Sequence, residues 1–83
     1  MQITLKCFAF LGQYLPPGAK GNSIQMEVDD GKTIAQLIDD LNIDQDAVEL
    51  AILNEQFIDL RAREHAELKN RDTLALWPEV AGG

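Results

Sequence analysis

The chain has 83 residues, of which 46% are hydrophobic and 25% are charged, so a single globular domain is expected. Its formal net charge of −7 argues against nucleic acid or an anionic membrane as a partner. The acidity serves either docking on a basic protein surface or solubility alone. The single cysteine, Cys7, excludes an intramolecular disulfide, and without a signal peptide or a membrane-length apolar run the chain is predicted to be cytoplasmic.

Two alternating segments predict a long β-hairpin at the start of the chain. Residues 2–8 and 23–28 both alternate between apolar and polar side chains, as strands with one buried face do. Between them, residues 10–15 have the spacing of a short helical turn before the Pro16-Pro17-Gly18 loop. The side chains predicted to face inward are Ile3, Leu5, Cys7, Ile24, Met26 and Val28.

The clearest helix signal begins at Thr33. Thr33 is a good N-cap residue, and Gln36 three positions later completes the pattern of a capping box. Apolar residues then follow at helical spacing and form one stripe that can pack on a sheet, namely Ile34, Leu37, Ile38 and Leu41.

The second half of the chain is predicted to add two strands to the sheet. Residues 48–53 alternate, with Val48, Leu50 and Ile52 expected to face inward. The polar segment 54–72 is ambiguous and is predicted to be a long loop with a helical turn near residues 60–67 and a tight turn at its end. Residues 73–77 form the last strand, with Leu74 and Leu76 inward. The order of elements predicts an α+β fold with one main helix on one face of a mixed sheet.

The outward face of this sheet is predicted to be unusually apolar. The strand alternation places five apolar residues on the side away from the helix, namely Phe8, Ala51, Leu53, Ala75 and Trp77. Exposed apolar patches with aromatic side chains are typical of protein interfaces. The face is therefore predicted to bind a partner, unless the segment 54–72 folds back over it.

Residue types that carry catalysis or bind metals are scarce. His65 lies in a polar stretch and is expected to be a solvated loop residue, and Cys7 is expected to be a buried, inert thiol. A zinc site is excluded because the chain has no second cysteine or histidine. The sequence predicts no metal site and no catalysis by this chain alone.

The C-terminal sequence "LWPEVAGG" is the most unusual chemical feature. Pro78 ends the last strand, and residues 79–83 are expected to form a flexible tail on a domain of residues 1–78. The tail is either a frayed end or the functional group itself. Because Gly82 and Gly83 have no Cβ, a terminal carboxylate on Gly83 could enter a narrow cleft and stay open to attack once it is activated.

Four segments together resemble the ubiquitin-like sulfur-carrier family. They are "CFAFLGQYL" (7–15), "TIAQLIDDL" (33–41), "AILN" (51–54) and "LKNRDTLALWPEVAGG" (68–83). The pattern Pro78-x-Val80-x-Gly82-Gly83 is the most specific part, and it is most similar to the tail of molybdopterin synthase small subunits. Where such chains usually have an Asn-Gly turn, this one has Asn54-Glu55.

The resemblance implies a β-grasp fold and a reaction at the chain end. An E1-like enzyme would use ATP to adenylate Gly83, and sulfur would then replace the AMP to give a thiocarboxylate, with no cofactor held permanently. Val80, Ala81 and Gly82 would thread into the partner, while Phe8, Leu53, Ala75, Trp77 and Pro78 would contact it. The sulfur acceptor would be the large subunit of molybdopterin synthase. The alternatives are a thiazole synthase, or an acceptor in the synthesis of a tungsten-containing pterin cofactor. The competing interpretation is a ubiquitin-like protein modifier or an interaction module.

Overall fold

A computed structural model describes residues 1–79 of the chain. Five strands form one mixed sheet, and one α-helix (α1) spans Ile34–Asp40. Three short 3₁₀ helices cover Ala9–Tyr14, Gln45–Ala47 and Ala62–Glu64. The strands are β1 (Gln2–Cys7), β2 (Ser23–Glu27), β3 (Leu50–Leu53), β4 (Gln56–Ile58) and β5 (Thr73–Trp77).

The sheet has the strand order β2-β1-β5-β3-β4. The two central strands, β1 and β5, run parallel, whereas the other neighbouring pairs are antiparallel. The first and last strands of the chain are therefore joined side by side in the middle of the molecule. The predicted α+β class, with a mixed sheet and one main helix, is confirmed.

One face of the sheet and the apolar side of α1 enclose the core. The capping box predicted from Thr33 and Gln36 is present, with the Gln36 backbone N–H donating to the Thr33 Oγ1 at 3.2 Å and the Thr33 N–H donating to the Gln36 Oε1 at 2.9 Å. The helix buries Ile34, Leu37 and Ile38 as predicted. They form one cluster with the inward residues of the central strands, which are Ile3, Leu5, Cys7, Leu74 and Leu76.

Strand β3 corrects one prediction. It begins at Leu50, two residues later than predicted, because residues 45–47 form a 3₁₀ turn that ends at Val48. Ala51 is fully buried and pairs with Leu76 of the core face, whereas Leu50 is 39% exposed and pairs with Trp77. The predicted orientation of this strand is therefore wrong: Ala51 and Leu53 face the core, and Leu50 and Ile52 face outward.

The segment after β3 contains a strand that the sequence pattern did not reveal. Asn54 and Glu55 form a two-residue turn with φ values of 50° and 72°, and β4 then pairs antiparallel with β3 at the edge of the sheet. The chain continues along the start of α1, where the Ile34 N–H donates to the Ala66 carbonyl at 3.0 Å and the Leu68 N–H donates to the Lys32 carbonyl at 2.8 Å. The chain after β4 therefore lies on the helix side, and the segment 54–72 does not fold back over the outward face.

Within residues 1–79, no helix has the length and apolar character needed to cross a bilayer.

Candidate functional site

The outward face of the sheet carries a continuous row of apolar side chains, here called the apolar stripe. Strand pairing sets its order, because residues opposite one another on neighbouring strands share a face. Leu50 pairs with Trp77, and Ile52 pairs with Ala75 on one side and Phe57 on the other. The apolar stripe consists of Phe8, Leu50, Ile52, Phe57, Ala75 and Trp77.

Phe8 and Trp77 form the aromatic centre of the stripe. Their rings are stacked with centroids 3.8 Å apart and an interplanar angle of 5°. The backbone holds this pair in place, since the Phe8 N–H donates to the Leu76 carbonyl at 3.0 Å. Both side chains are half-buried, so each presents a ring surface that is rigid and partly open to solvent. Rigid aromatic surfaces of this kind are the usual anchors of protein interfaces.

The structure separates the predicted contact residues into three groups. Phe8, Ala75 and Trp77 lie on the outward face, where alternation along β1 and β5 predicted them. Leu53 does not, since it pairs with the buried Leu74 and packs against the core, which contradicts its predicted outward position. Pro78 is buried at the end of β5, so little of its ring is open to a partner in the free chain. The outward face that was predicted to contain Ala51 and Leu53 contains Leu50, Ile52 and Phe57 instead.

Charged side chains border the apolar stripe. Lys6 shares the outward face because it pairs with Ala75, and it is half-buried there. Glu49 is exposed and directly precedes Leu50 of the stripe. Glu79 is also exposed and directly follows Pro78 at the end of β5. The charged residues nearest the apolar stripe are therefore of both signs, with Lys6 on the face itself and the two glutamates near the end of β5.

The end of β5 fixes the point from which the tail departs. The Trp77 carbonyl accepts a hydrogen bond from the Glu49 N–H at 2.8 Å, so the strand is paired up to its last residue. The tail therefore starts beside the aromatic stack, on the edge of the apolar stripe. The predicted working residues Val80, Ala81, Gly82 and Gly83 lie outside the described residues.

The other candidate reactive groups are placed as expected. Cys7 is a free thiol in the core, and burial raises its pKa to about 11, which keeps it in the unreactive thiol form. His65 is exposed in the loop that follows Ala62–Glu64. Among residues 1–79, no group of three or more His, Cys, Asp or Glu side chains is arranged to hold a metal ion.

Arg63 is a feature that the sequence did not single out. It stands in the 3₁₀ turn Ala62–Glu64 and is only 2% exposed, although it lies in a polar stretch. Its Nη2 donates to the Glu49 carbonyl oxygen at 3.3 Å. Burial lowers the pKa of its guanidinium, while the carboxylates of Glu49 and Asp59 raise it. No sequence signal distinguishes this arginine from a solvated one.

Comparison with known proteins identifies the family. The ThiS family model matches residues 18–83. The structure of SAMP1 from Haloferax volcanii has a TM-score of 0.68 at 20% identity and covers 100% of both chains. A chain described as molybdopterin converting factor, subunit 1, from Pyrococcus furiosus has a TM-score of 0.66 at 20% identity, covering 95% of this chain and 98% of that one.

No curated protein sequence matches the chain significantly. The structural matches confirm the predicted β-grasp fold over nearly the whole chain. At 20% identity these two structures show the fold alone. The family assignment comes from the family model, which matches residues 18–83 and so covers well over half of the sequence. The chain therefore belongs to the ThiS family of ubiquitin-like sulfur carriers.

Proposed function

We propose that the terminal carboxylate of Gly83 is the group on which this protein carries sulfur. The observation that carries the proposal is the family match, which runs through residue 83 and so includes Gly82-Gly83. Glycine has no Cβ, so the end of the chain can enter a narrow cleft and its acyl carbon stays open to a nucleophile. Val80 and Ala81 would lie along the entrance of that cleft.

The chemistry consists of two substitutions on a partner enzyme. A carboxylate oxygen of Gly83 attacks the α-phosphorus of ATP, which forms an acyl adenylate and releases pyrophosphate. Hydrosulfide then attacks the acyl carbon, the carbon–oxygen bond to AMP breaks, and a thiocarboxylate remains. One carboxylate oxygen leaves with the AMP and one sulfur replaces it, with no net oxidation or reduction. The E1-like enzyme supplies the catalytic groups, and this chain supplies the reacting carbon.

The folded domain serves as the surface by which partners hold the tail. The apolar stripe begins at the point where β5 ends, so a partner bound to Trp77 and Phe8 also receives the tail at a fixed entrance. Fixing one end of a short segment raises the local concentration of its other end near the active site. Docking and reaction are therefore performed by separate parts of the chain.

The proposed acceptor is the large subunit of a molybdopterin synthase. It is supported by the tail pattern Pro78-x-Val80-x-Gly82-Gly83 and by the fold shared with the Pyrococcus furiosus converting-factor subunit. Thiazole synthesis is the second candidate, and the ThiS family match favours it. Binding of the purified protein to a large synthase subunit, compared with binding to a thiazole synthase, distinguishes the two acceptors.

We place this reaction in the cytoplasm. The activating step consumes ATP, which the cytoplasm supplies.

The carrier function is tested by intact-mass measurement. The protein is incubated with an E1-like enzyme from the same organism, ATP and sulfide, and the expected product is heavier by the difference between sulfur and oxygen. Gly82→Ala should slow this conversion, because a Cβ one residue before the end narrows the fit in the cleft.

The matched control is a chain with one residue added after Gly83. It keeps the fold and the apolar stripe but moves the carboxylate by one residue, so it should gain no mass. If the extended chain is converted at the rate of the original, Gly83 is not the reacting residue and the proposal is wrong. Formation of isopeptide bonds to lysines in place of the thiocarboxylate would assign the protein to the modifier class.

A further inference from the structure

Arg63 is a buried cation whose hydrogen-bonding capacity is mostly unused. Its Nη2 makes one long hydrogen bond to the Glu49 carbonyl oxygen, at 3.3 Å. Nε and Nη1 are closed off from solvent and have no acceptor among residues 1–79. A buried guanidinium that lacks acceptors destabilises a fold, and native proteins seldom keep one without a reason. The unpaired N–H groups therefore point to an acceptor that the described residues do not supply.

A cavity of about 320 Å³ lies beside this arginine. Its apolar walls are Val48, Phe57 and Leu60, and Gln45, Asp46 and Glu49 complete the lining. Phe57 is 60% exposed and Leu60 is 57% exposed, so both side chains can turn without breaking the core. Apolar walls around a small number of polar groups are typical of a site that receives a ligand or a side chain.

The cavity is continuous with the apolar stripe. Phe57 lines the cavity and is also a stripe residue, because it pairs with Ile52. Glu49 likewise joins the two sites, since its N–H donates to the Trp77 carbonyl while its own carbonyl accepts from Arg63. A protein that covers the stripe around Trp77 is therefore within reach of the cavity.

The local charges select the chemistry of the occupant. Asp46 and Glu49 line the cavity, and the Asp59 carboxylate also acts on Arg63, so negative charge already exceeds positive charge there. A free anion would be repelled by these carboxylates, whereas a neutral carbonyl oxygen can accept from a guanidinium without adding charge. A basic side chain next to that carbonyl would be attracted by Asp46 and Glu49.

We infer that the cavity receives a loop of the docked partner protein, whose amide carbonyl oxygen accepts hydrogen bonds from Arg63 and whose flanking basic side chain pairs with Asp46 or Glu49. The inference rests on the proposed function, because the partner is the enzyme that covers the apolar stripe. Phe57 or Leu60 turns aside on binding, since Nε and Nη1 are closed to solvent in the free chain.

The first measurement follows the Arg63 Nε–H signal in ¹H–¹⁵N spectra of the wild-type protein, assigned with Arg63→Lys. Addition of the E1-like enzyme should shift this signal downfield and slow its exchange with water. Inorganic phosphate serves as the anion probe and should leave the signal in place. An equal shift with phosphate would overturn the inference, because the site would then take anions.

The second measurement is calorimetric binding to the same enzyme. Leu60→Ser should weaken binding about tenfold without changing the midpoint of thermal unfolding, because Leu60 is exposed and outside the sheet. Asp46→Asn should weaken it by a smaller factor, and the control Asp30→Asn, an exposed acid outside the cavity, should have no effect.

The two proposals fail in different ways. If Trp77→Lys abolishes binding while Leu60→Ser and Asp46→Asn bind like the wild type, the docking face stands and the cavity inference is wrong. If neither Trp77→Lys nor Leu60→Ser changes binding, the docking face itself is wrong and the cavity inference falls with it.

Discussion

Two consecutive residues with left-handed backbone close the β3–β4 hairpin. Asn54 has φ of 50° and Glu55 has φ of 72°. Asn54 suits this position because asparagine tolerates the left-handed region and two hydrogen bonds hold its side chain: Oδ1 accepts from the Thr73 N–H at 2.9 Å, and Nδ2 donates to the Asp72 Oδ1 at 2.8 Å. Glu55 is exposed and has no comparable hydrogen bonds among the described residues, so its backbone strain is uncompensated.

Replacing Glu55 with glycine should stabilise the protein. A left-handed conformation costs a side-chain-bearing residue roughly 1–2 kcal/mol, and the extra entropy of glycine in the unfolded chain offsets roughly 0.5–1 kcal/mol of that. Glu55→Gly is therefore expected to raise the free energy of unfolding by about 0.5–1 kcal/mol, measured by chemical denaturation.

The control is Gln56→Gly, one residue further along. Gln56 is also exposed, but it is the first residue of β4 and is not among the residues with positive φ. Glycine there should destabilise the protein, because it weakens a strand without relieving strain. Equal effects of the two substitutions would show that the turn conformation of Glu55 is not strained.

Among the individual site residues, the sequence predicted the positions of some and could not predict those of others. The outward positions of Phe8 and Trp77 follow from alternation, because β1, which ends just before Phe8, and β5, which ends at Trp77, are regular neighbouring strands. The burial of Arg63 depends on how the loop after β4 packs against α1 and the start of β3. That packing joins residues distant in sequence, and an arginine in a polar stretch gives no local sign of it.

Among the elements, β3 shows why alternation can assign the wrong face. Val48 is buried, so counting from it makes every second residue appear inward. Val48 belongs to the end of a 3₁₀ turn, however, and the strand starts only at Leu50. Because the side-chain period of a strand is two, counting from a buried turn residue that is out of phase with the strand exchanges the two faces. The helix was predicted correctly because its capping box and its four-residue stripe mark both its start and its buried side.

Lysine substitutions at neighbouring positions test the orientation of β3. Ala51 is 0% exposed, so Ala51→Lys places an unpaired charge under the sheet and should cost much of the stability expected for 83 residues, about 4–12 kcal/mol in total. Leu50→Lys keeps its charge in solvent and should cost about 1 kcal/mol or less. Circular dichroism during thermal unfolding measures both. A folded Ala51→Lys together with an unfolded Leu50→Lys would restore the orientation inferred from the sequence.

For the whole molecule, charge and the apolar stripe have different parts in binding. In the proposed complex, the net charge of −7 would act over distances comparable to the size of the protein and accelerate encounter with a basic partner. The Phe8–Trp77 stack would act only after contact, by removing apolar surface from water. Composition suggested the first contribution and strand alternation the second, whereas the cavity at Arg63 required the folded structure.

These two parts should separate in binding kinetics with the E1-like enzyme. Raising the ionic strength screens long-range attraction, so the association rate constant should fall about tenfold or more while dissociation changes little. Trp77→Ala should leave association nearly unchanged and accelerate dissociation, because hot-spot residues act in the bound complex. Surface plasmon resonance over a series of salt concentrations measures both constants. An association rate that is insensitive to salt would reduce the acidity to a role in solubility, and unchanged dissociation of Trp77→Ala would remove the aromatic stack from the interface.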